Sequence, residues 1–411
     1  MAASYYTGEG GYGNAQMKLL YIANLRLPTE KAHGSQILQN CEALAEAGAE
    51  VVLWAARRVN HLRLPKDQDF WSFYGVRRNF SIVRIPSLDL IWLPIPLLRR
   101  VAFWLQWLSF ALWAAGRARF TAADVIYSRD RLVLLLCGQK TGRQRAYEVH
   151  HVAERGPGRW LQGIVARRVD ALFAVTQGVA QELRALGARA ERVHVLPDGI
   201  RAARYEALPE RVAARRELGW PEAGFIVIYV GQLQTMGMAK GVETLVEALA
   251  PLVGASLAIV GGPAAAVAQH RRDWLEREAA AERFLAPGQV APARVPLYLA
   301  ASDVGVLPFP DTRHFAQFAS PLKLFEYMAA GCAIVASDLP SLREVLREGE
   351  TALFSAAGDA PALRAALQRL HEDRELVARL GHAARAEALR EYSWRARAER
   401  IRGVLGGGRS A

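Results

Sequence analysis

Near-continuous apolar runs alternate with helix-period stretches along the first half of the chain. The runs "KLLYIANL" and "EVVLWAA" are typical of strands buried on both faces of a sheet. Between them, "SQILQNCEALAEAG" repeats apolar residues at helical spacing and ends on Gly48, a helix stop signal. Further strand candidates are "SIVRIP", "ADVIYSR", "RAYEVHH", "ALFAVT" and "RVHVLP". This repetition predicts a parallel α/β sheet.

The same cycle restarts at residue 225. Strand candidates "FIVIYVG", "SLAIVGG", "DVGVLPF" and "CAIVAS" are followed by helices that carry the chain to its end. The pattern predicts a flexible tail at 1–16, a first Rossmann-like domain at 17–200, a linker rich in turn residues and charge at 201–222, and a second such domain at 223–385. Two doubly wound domains in series predict a ligand at the carboxyl ends of the strands, in a shared cleft.

The segment 90–116 is apolar enough to raise the question of a membrane. Arg99 and Arg100 interrupt it, and the uninterrupted run at 101–115 is shorter than the roughly 20 residues that span a bilayer. A spanning helix is therefore disfavoured, and two other interpretations stay open beside it: a buried helix of the first domain and an interfacial helix. The interfacial helix would hold three tryptophans among lipid headgroups, namely Trp104, Trp107 and Trp113.

Composition narrows the class of protein. The 411 residues are 52% hydrophobic and contain no long low-complexity tract, which indicates a globular chain. The formal net charge of +12 favours an anionic partner such as a nucleotide, a phospholipid or nucleic acid, although its almost purely arginine origin is also typical of GC-rich codon usage. The three cysteines form neither a disulfide framework nor a zinc pattern, which fits a reducing cytosol. The first 16 residues lack the pattern of a secretory signal.

Two glycine-containing loops follow predicted strands. No G-x-G-x-x-G follows the first strand, so a nicotinamide or flavin site is disfavoured there; Gly34, before a predicted Ser-capped helix, is either a turn residue or a point of ligand approach. In the second half, Gly231 ends a strand, and Lys240 and Gly241 precede a helix. That arrangement can hold a phosphate, and the alternative is a solvated lysine.

Acidic and histidine residues give two further candidates. Glu148 and His150 lie two apart at the end of a predicted strand, so they face the same side, and His150 is either a proton donor or a structural residue. The acidic pair Asp67 and Asp69 has a metal-binding form, but it is not at the end of an apolar strand and no ligand cluster accompanies it. A surface loop is the better interpretation, and we predict no bound metal.

The stretch "SPLKLFEYMAAG" combines a helix entry with two charges. Ser320 and Pro321 suit the first positions of a helix, whose free amides, with Lys323 in the first turn, would suit a diphosphate. Glu326 could accept hydrogen bonds from two ribose hydroxyls. The alternative for Lys323 and Glu326 is an exposed ion pair that stabilises the helix by a few tenths of a kcal/mol.

In order and spacing these motifs resemble the retaining glycosyltransferases of the GT-B fold, family 4, in which two Rossmann-like domains face a central cleft. The resemblance runs from Met17 to about Gly403. It is strongest in "YVGQLQTMGMAKGVETLVEAL", "APGQVAPARVPLYLAASDVGVLPF" and "SPLKLFEYMAAGCAIVASDLPSLREVL".

The resemblance implies transfer of a sugar from a nucleoside-diphosphate sugar to a glycan or lipid-linked acceptor, with retention of configuration and without metal or other cofactor. His150, near the donor sugar, and Glu326, at the ribose, are the implied catalytic residues. The remaining implied donor-binding residues are Gly34, Gly231, Gln232, Lys240, Gly241, Gln289, Val290, Ser320, Pro321, Leu322 and Lys323. Lys240 would hold the diphosphate, the amides of 320–323 its distal phosphate, and the turn at Gln289 and Val290 the base. The segment 386–411 would return to the first domain as a helix.

Two positions depart from the family pattern. Phe318 stands where the first of two paired glutamates is common, and Gln232 stands where an arginine often follows the strand-ending glycine. We interpret them as altered donor recognition. The alternatives are a GT-B protein that binds nucleotide-sugar without transfer, and a GT-B epimerase or phosphorylase. The expected location is the cytoplasm, in peripheral contact with an anionic membrane at the inner face, with cell-surface glycan synthesis as the role and no nucleic acid as partner.

Overall fold

The structure is a computed structural model that describes residues 16–29, 32–59, 69–91, 99–138, 140, 142–235 and 237–407. The predicted tail lies outside the described residues except for Gln16, as does Asp67 of the acidic pair. Asp69 is described, and its carboxylate accepts a hydrogen bond from the Ser72 amide and pairs with Arg78 at 2.8 Å. Asp69 is therefore a helix cap on the surface.

The first domain contains a sheet of seven parallel strands in the order β3-β2-β1-β4-β5-β6-β7. The strands are β1 (Lys18–Ala23), β2 (Glu50–Ala56), β3 (Ser81–Ile85), β4 (Val125–Ser128), β5 (Gln144–Val149), β6 (Ala171–Ala174) and β7 (Val193–Val195). The helices are α1 (Ala32–Glu46), α2 (Phe70–Tyr74), α3 (Arg99–Ala118), α4 (Arg131–Leu136), α5 (Gly156–Arg168) and α6 (Gln177–Ala185). Apolar side chains of the strands are buried on both faces of the sheet, which explains the near-continuous apolar runs.

The second domain repeats the arrangement with six parallel strands in the order β12-β11-β8-β13-β14-β15. The strands are β8 (Phe225–Gln232), β11 (Ala255–Gly262), β12 (Phe284–Gly288), β13 (Val304–Leu307), β14 (Ala333–Ser337) and β15 (Leu353–Ser355), with a small hairpin of β9 (Gln234–Thr235) and β10 (Met238–Ala239). The helices are α7 (Arg211–Leu218), α8 (Val242–Leu249), α9 (Ala264–Glu276), α10 (Val295–Ala300), α11 (Leu322–Ala330), α12 (Pro340–Arg343), α13 (Ala360–Glu372), α14 (Arg374–Glu391) and α15 (Trp394–Gly407). The predicted fold class, two doubly wound α/β domains, is confirmed.

Several local expectations were wrong. The helix α1 begins at Ala32, so Gly34 lies inside its first turn and Ser35 is not its cap. The edge strands β12 and β15 had not been predicted, because β12 contains Pro287 and Gly288 and β15 has only three residues.

The helix α3 lies on the first domain with one face buried and the other exposed. Ala102, Phe110 and Ala114 pack inward, whereas Trp104 and Trp113 are 57% and 59% exposed. In the described part of the chain no helix combines the length and the apolarity needed to cross a bilayer. The buried-helix interpretation therefore accounts for only one face of α3. A broad apolar face remains on the surface, as the interfacial-helix interpretation requires.

The connections between the domains differ in detail from the expected bounds. The helix α7 falls within the expected linker at 201–222, and it packs on the second domain because Arg215 donates to Asp303 at 2.7 Å. The expected boundary at 385/386 falls inside α14, and the chain crosses to the first domain at Tyr392 and Ser393. From there α15 packs against α1.

Candidate functional site

The carboxyl ends of the two sheets meet where the domains touch. The Thr176 hydroxyl donates to the Gln317 carbonyl at 2.6 Å, and the Asp198 amide donates to Ser320 Oγ at 3.1 Å. The predicted residues Gly231 and His150 each lie at or just past the end of a strand in one of these sheets. Parallel α/β sheets bind ligands at this edge.

Lys323, in the first turn of α11, is buried and has no hydrogen-bond partner in the described chain. The residue is only 8% exposed, and its Nζ lies 3.5 Å from the centroid of the Tyr229 ring. Burial and then the charge of Lys240 hold the pKa of Lys323 well below its ordinary value, against the opposing effect of Glu326. Burial also lowers the pKa of Lys240. The alternative of an exposed ion pair is therefore wrong for Lys323.

A buried cation without a bonded anion is costly, so this pair of lysines has the character of an anion site. A Cβ built on Gly231 would lie 3.6 Å from Lys323 Nζ, which means that the end of β8 borders the ammonium group. The first turn of α11 adds backbone amides and the positive end of a helix dipole. The arrangement can bind a diphosphate between two lysines and a helix N-terminus.

Glu326 lies one turn further along α11. Burial raises its pKa, and Arg204 gives the largest opposing effect. A hydrogen bond from the Tyr205 hydroxyl also opposes the rise. Sequence reasoning missed Arg204 and Tyr205, because they belong to the linker and are distant from Glu326 along the chain. Arg204 also donates to the Tyr74 carbonyl at 3.0 Å, so the linker joins Glu326 to the first domain.

The other predicted donor residues of the second domain lie around the same edge. Gly241 has a φ of +75°, and a Cβ there would be 1.7 Å from the Pro308 carbonyl oxygen, so only glycine fits. Gln232 is exposed and is in register with Gly262, whose own added Cβ would lie 3.5 Å from the Gln289 side chain. Val290 is half-buried in the following loop. These residues therefore lie along one edge of the second-domain sheet, at the carboxyl ends of its strands.

The helix entry differs from the expectation. The α-helix begins at Leu322 with Pro321 in the N-cap position, and no side chain caps it. Ser320 accepts its hydrogen bond from Asp198 of the first domain instead, so it joins the domains. Gly34 is buried, and a Cβ on it would be 2.4 Å from the Thr29 methyl group. Close packing therefore explains this glycine without a ligand.

His150 and Glu148 face the same side, as predicted, and they are in contact. His150 Nε2 lies 2.8 Å from Glu148 Oε1, and Nδ1 lies 3.9 Å from Asp198 Oδ2. Glu148 is buried, whereas the His150 side chain is 27% exposed. The histidine can therefore meet a ligand on one side while a carboxylate holds it on the other.

Among the described residues, Glu148, His150 and Asp198 form a group with ligand atoms within 4.8 Å of one another. Burial alone would raise the pKa of Glu148, but the guanidinium groups of Arg129 and Arg397 outweigh it and hold that pKa well below its ordinary value. Both arginines bond Glu148 Oε1, at 2.9 and 3.0 Å. A cation would have to displace them, so we assign no metal to this group.

Phe318 does not point toward the lysine pair. It is 3% exposed and belongs to the apolar cluster of the first domain, with its ring centroid 5.7 Å from that of His151. Arg313, whose guanidinium lies 5.4 Å from the Phe318 ring, pairs with Glu182 and with Glu154 of the first domain. The segment 313–318 therefore fastens the domains together.

We expect Phe318→Ala to lower the free energy of unfolding by about 3–5 kcal/mol, since a large buried ring is removed. Phe318→Glu should destabilise at least as much, because it buries a charge in an apolar cluster. Denaturant unfolding of the purified variants measures both changes. Phe120→Ala is the matched control, because Phe120 is 91% exposed. A stable Phe318→Glu protein with tighter donor binding would contradict the placement of the Phe318 side chain in the apolar cluster of the first domain.

Comparison with known families matches both domains. Residues 34–204 match the family "Glycosyltransferase Family 4", and residues 224–373 match "Glycosyl transferases group 1". A phosphatidyl-myo-inositol mannosyltransferase from Mycolicibacterium smegmatis is 34% identical over 187 residues, which are 43% of each chain. A D-inositol 3-phosphate glycosyltransferase from Acidothermus cellulolyticus is 30% identical over 60% of this chain and 56% of its own. The match thus spans less than half the length of the mannosyltransferase.

Solved structures share the fold over nearly the whole chain. Sucrose-phosphate synthase from Thermosynechococcus elongatus has a TM-score of 0.74 at 20% identity and covers 95% of this chain and 99% of its own. The Anabaena protein HepE in complex with UDP has a TM-score of 0.67 at 17% identity, with coverage of 95% and 100%. At these identities the likeness shows the GT-B fold alone.

Proposed function

We propose that this chain, a glycosyltransferase of the GT-B fold whose two domains match family 4 and group 1, moves a sugar from a nucleoside-diphosphate sugar to a glycan or lipid-linked acceptor with retention of configuration. The observation that carries the donor class is the buried ammonium of Lys323, which lies beside Lys240 and Gly231 and has no hydrogen-bond partner among the described residues. The relatives named for phosphatidyl-myo-inositol support a lipid-linked acceptor.

In this proposal, the diphosphate lies between Lys240, Lys323 and the first amides of α11. Glu326 accepts hydrogen bonds from the ribose hydroxyls, and Gln289 and Val290 border the base. The positive charges of the lysines stabilise the negative charge that grows on the leaving diphosphate. That charge can be met without a metal ion, and we propose no cofactor.

The reaction then follows a front-face route. The bond between C1 of the sugar and the diphosphate oxygen breaks, and its electron pair goes to the diphosphate. The acceptor hydroxyl oxygen bonds C1 on the same face, and its proton passes to the departing phosphate oxygen. His150 borders the donor sugar from the first domain, where acceptor and donor meet.

A second candidate is a protein that binds nucleotide-sugar without transfer, and its support is the presence of Phe318 and Gln232 at family positions. Phe318 packs into the first domain, so its side chain cannot replace the sugar contact of the family's glutamate. Altered donor choice is the interpretation we favour, because Glu326 and both lysines are retained. A GT-B epimerase would convert the nucleotide-sugar without any acceptor.

A thermal-shift screen against UDP-, GDP- and ADP-sugars, followed by transfer assays with sugar and lipid acceptors, tests the proposal. A donor at about 100 times its dissociation constant should stabilise the native state by about 2.7 kcal/mol. The proposal requires both stabilisation and acceptor-dependent release of nucleoside diphosphate. Stabilisation without turnover favours the binding protein, and acceptor-independent conversion favours the epimerase.

The proposed site of action is the cytoplasmic membrane surface, through the exposed face of α3. Val101, Phe103, Leu108 and Leu112 are exposed beside Trp104 and Trp113, and Arg100 is exposed near the helix start. Apolar and aromatic residues flanked by arginine suit an anionic interface. Trp107 contributes less than expected, because it is half-buried and donates to Asp130 at 2.8 Å.

We expect Trp104→Ser with Trp113→Ser to release the protein from anionic vesicles in a sedimentation assay. Trp160→Ser is the matched control, because Trp160 is 69% exposed on α5. Its binding should equal that of the unchanged protein. Equal sedimentation of all three proteins would exclude the α3 face as the membrane contact.

A further inference from the structure

We propose that Glu148 is a positioning residue for His150, and that Arg397 makes this positioning depend on the docked C-terminal helix α15. The inference rests on the proposed function, in which His150 borders the donor sugar. Neither Glu148 nor Arg397 needs to touch the substrate.

Glu148 is bonded from every side. Its Oε1 is the shared acceptor for His150 Nε2 at 2.8 Å, Arg129 at 2.9 Å and Arg397 at 3.0 Å. Its Oε2 accepts from the Tyr127 hydroxyl at 2.8 Å and the Tyr21 hydroxyl at 3.2 Å. A carboxylate with this many donors has a single orientation available to it. His150 therefore bonds a buried carboxylate that two arginines and two tyrosines also hold.

Arg397 reaches this carboxylate from another part of the chain. It is 3% exposed and uses all three guanidinium nitrogens, with Nε donating to the Pro197 carbonyl at 3.1 Å. Its other two nitrogens donate to Asn40 Oδ1 at 3.1 Å and Glu148 Oε1 at 3.0 Å. One side chain of α15 therefore joins α1, β5 and the loop before the linker. The helix follows α14 of the second domain, so the last crossing of the chain completes the surroundings of His150.

The consequence for His150 is a defined proton position. A carboxylate accepts hydrogen bonds and cannot donate them, so the hydrogen must be on Nε2. In the neutral ring the lone pair is then on Nδ1, which lies 3.9 Å from Asp198 Oδ2. Gln36 donates to that same Asp198 oxygen at 2.8 Å, and the Asp198 amide contacts Ser320 at the entry to α11. The orientation of His150 is thus tied to both domains.

The test compares Glu148→Gln, Arg397→Met and the double variant with Arg395→Met as control. Arg395 is exposed on the same helix. Among the described residues, Glu399 is its only ion-pair partner. Glutamine has the shape of glutamate but can donate to Nε2, so it removes the preference for the hydrogen on that nitrogen. The double variant removes one negative and one positive charge together. Glu148→Gln alone leaves two arginines beside a neutral side chain. If that variant does not fold, the double variant still provides the measurement.

Two readouts separate positioning from folding. Nitrogen-15 NMR of the imidazole rings, with His150 assigned by its replacement, should show the Nε2–H form in the unchanged protein and in Arg395→Met. The Glu148→Gln and double variants should show Nδ1–H or a mixture. In transfer assays their kcat should fall about 100-fold, as expected for a misplaced group at the reacting centre. Nucleoside diphosphate affinity should stay within about twofold, because the lysine site is in the other domain.

Arg397→Met should lower kcat without changing that affinity, and Arg397→Lys should recover part of the loss, since lysine can still donate to Glu148. A folded Glu148→Gln protein with the Nε2–H form and full kcat would overturn the proposal. Equal losses in kcat and nucleotide affinity would also overturn it, because they indicate general disruption. If the unchanged protein transfers no sugar, the proposed function fails, and the NMR result alone decides whether Glu148 fixes the ring.

Discussion

Lys323→Met should weaken nucleoside diphosphate binding by at least about 30-fold, because loss of one partner in a buried charge pair costs about 2 kcal/mol or more. The same change should stabilise the free protein. Without ligand, the Lys323 ammonium is buried and has no hydrogen-bond partner in the described chain, and methionine fills a similar volume without the charge. Calorimetry and thermal unfolding measure the two effects, which should have opposite signs.

The stabilisation should depend on pH in a defined direction. The pKa of Lys323 is lowered by burial, so above that pKa the folded protein binds fewer protons here than the unfolded chain. Stability of the unchanged protein should therefore rise with pH toward the ordinary lysine pKa of about 10.4, and the advantage of Lys323→Met should shrink over that interval. Diphosphate binding favours the charged lysine, so binding in this interval should take up protons.

Proton uptake is measured by calorimetry in buffers of different ionisation enthalpy, and it should decrease in Lys323→Met. Lys140→Met is the control, because Lys140 is exposed on the first domain. Its affinity and proton uptake should equal those of the unchanged protein. Unchanged nucleotide affinity in Lys323→Met would mean that the diphosphate binds elsewhere.

Glu326→Ala should remove the preference for ribose over deoxyribose. A hydrogen bond to a charged group contributes about 1.5–3 kcal/mol, so the ribonucleotide should lose about 10- to 150-fold in affinity. The 2′-deoxy and 3′-deoxy analogues should lose less, because they lack one of the two hydroxyls. Tyr205→Phe should have a smaller effect of the same kind, since it removes only a bond that orients Glu326.

Competition binding with the three nucleotides measures this discrimination. Glu217→Gln is the control, because its side chain is 61% exposed. An equal loss for all three nucleotides in Glu326→Ala would show that Glu326 supports the fold of the site without contacting ribose.

The alternation of strands and helices was readable from the sequence because each sheet is buried on both faces, as in "FIVIYVG" of β8. The contacts that depend on tertiary packing could not be predicted from the sequence. Lys323 lies at a helix entry that usually faces solvent, and its burial depends on Tyr229 of another strand. Arg397 contacts Glu148 only because α15 crosses between domains. Phe318 could be noticed as a departure, but its direction into the first domain depends on how the domains meet.

Retaining transfer from a nucleoside-diphosphate sugar is the central claim. Proton NMR of the anomeric region, recorded during reaction with the donor selected by thermal shift and a competent acceptor, tests it most directly. We expect a product whose new bond has the donor's anomeric configuration, formed at the rate at which nucleoside diphosphate appears. A product of inverted configuration, or a bound donor that stays intact with every acceptor, would contradict it.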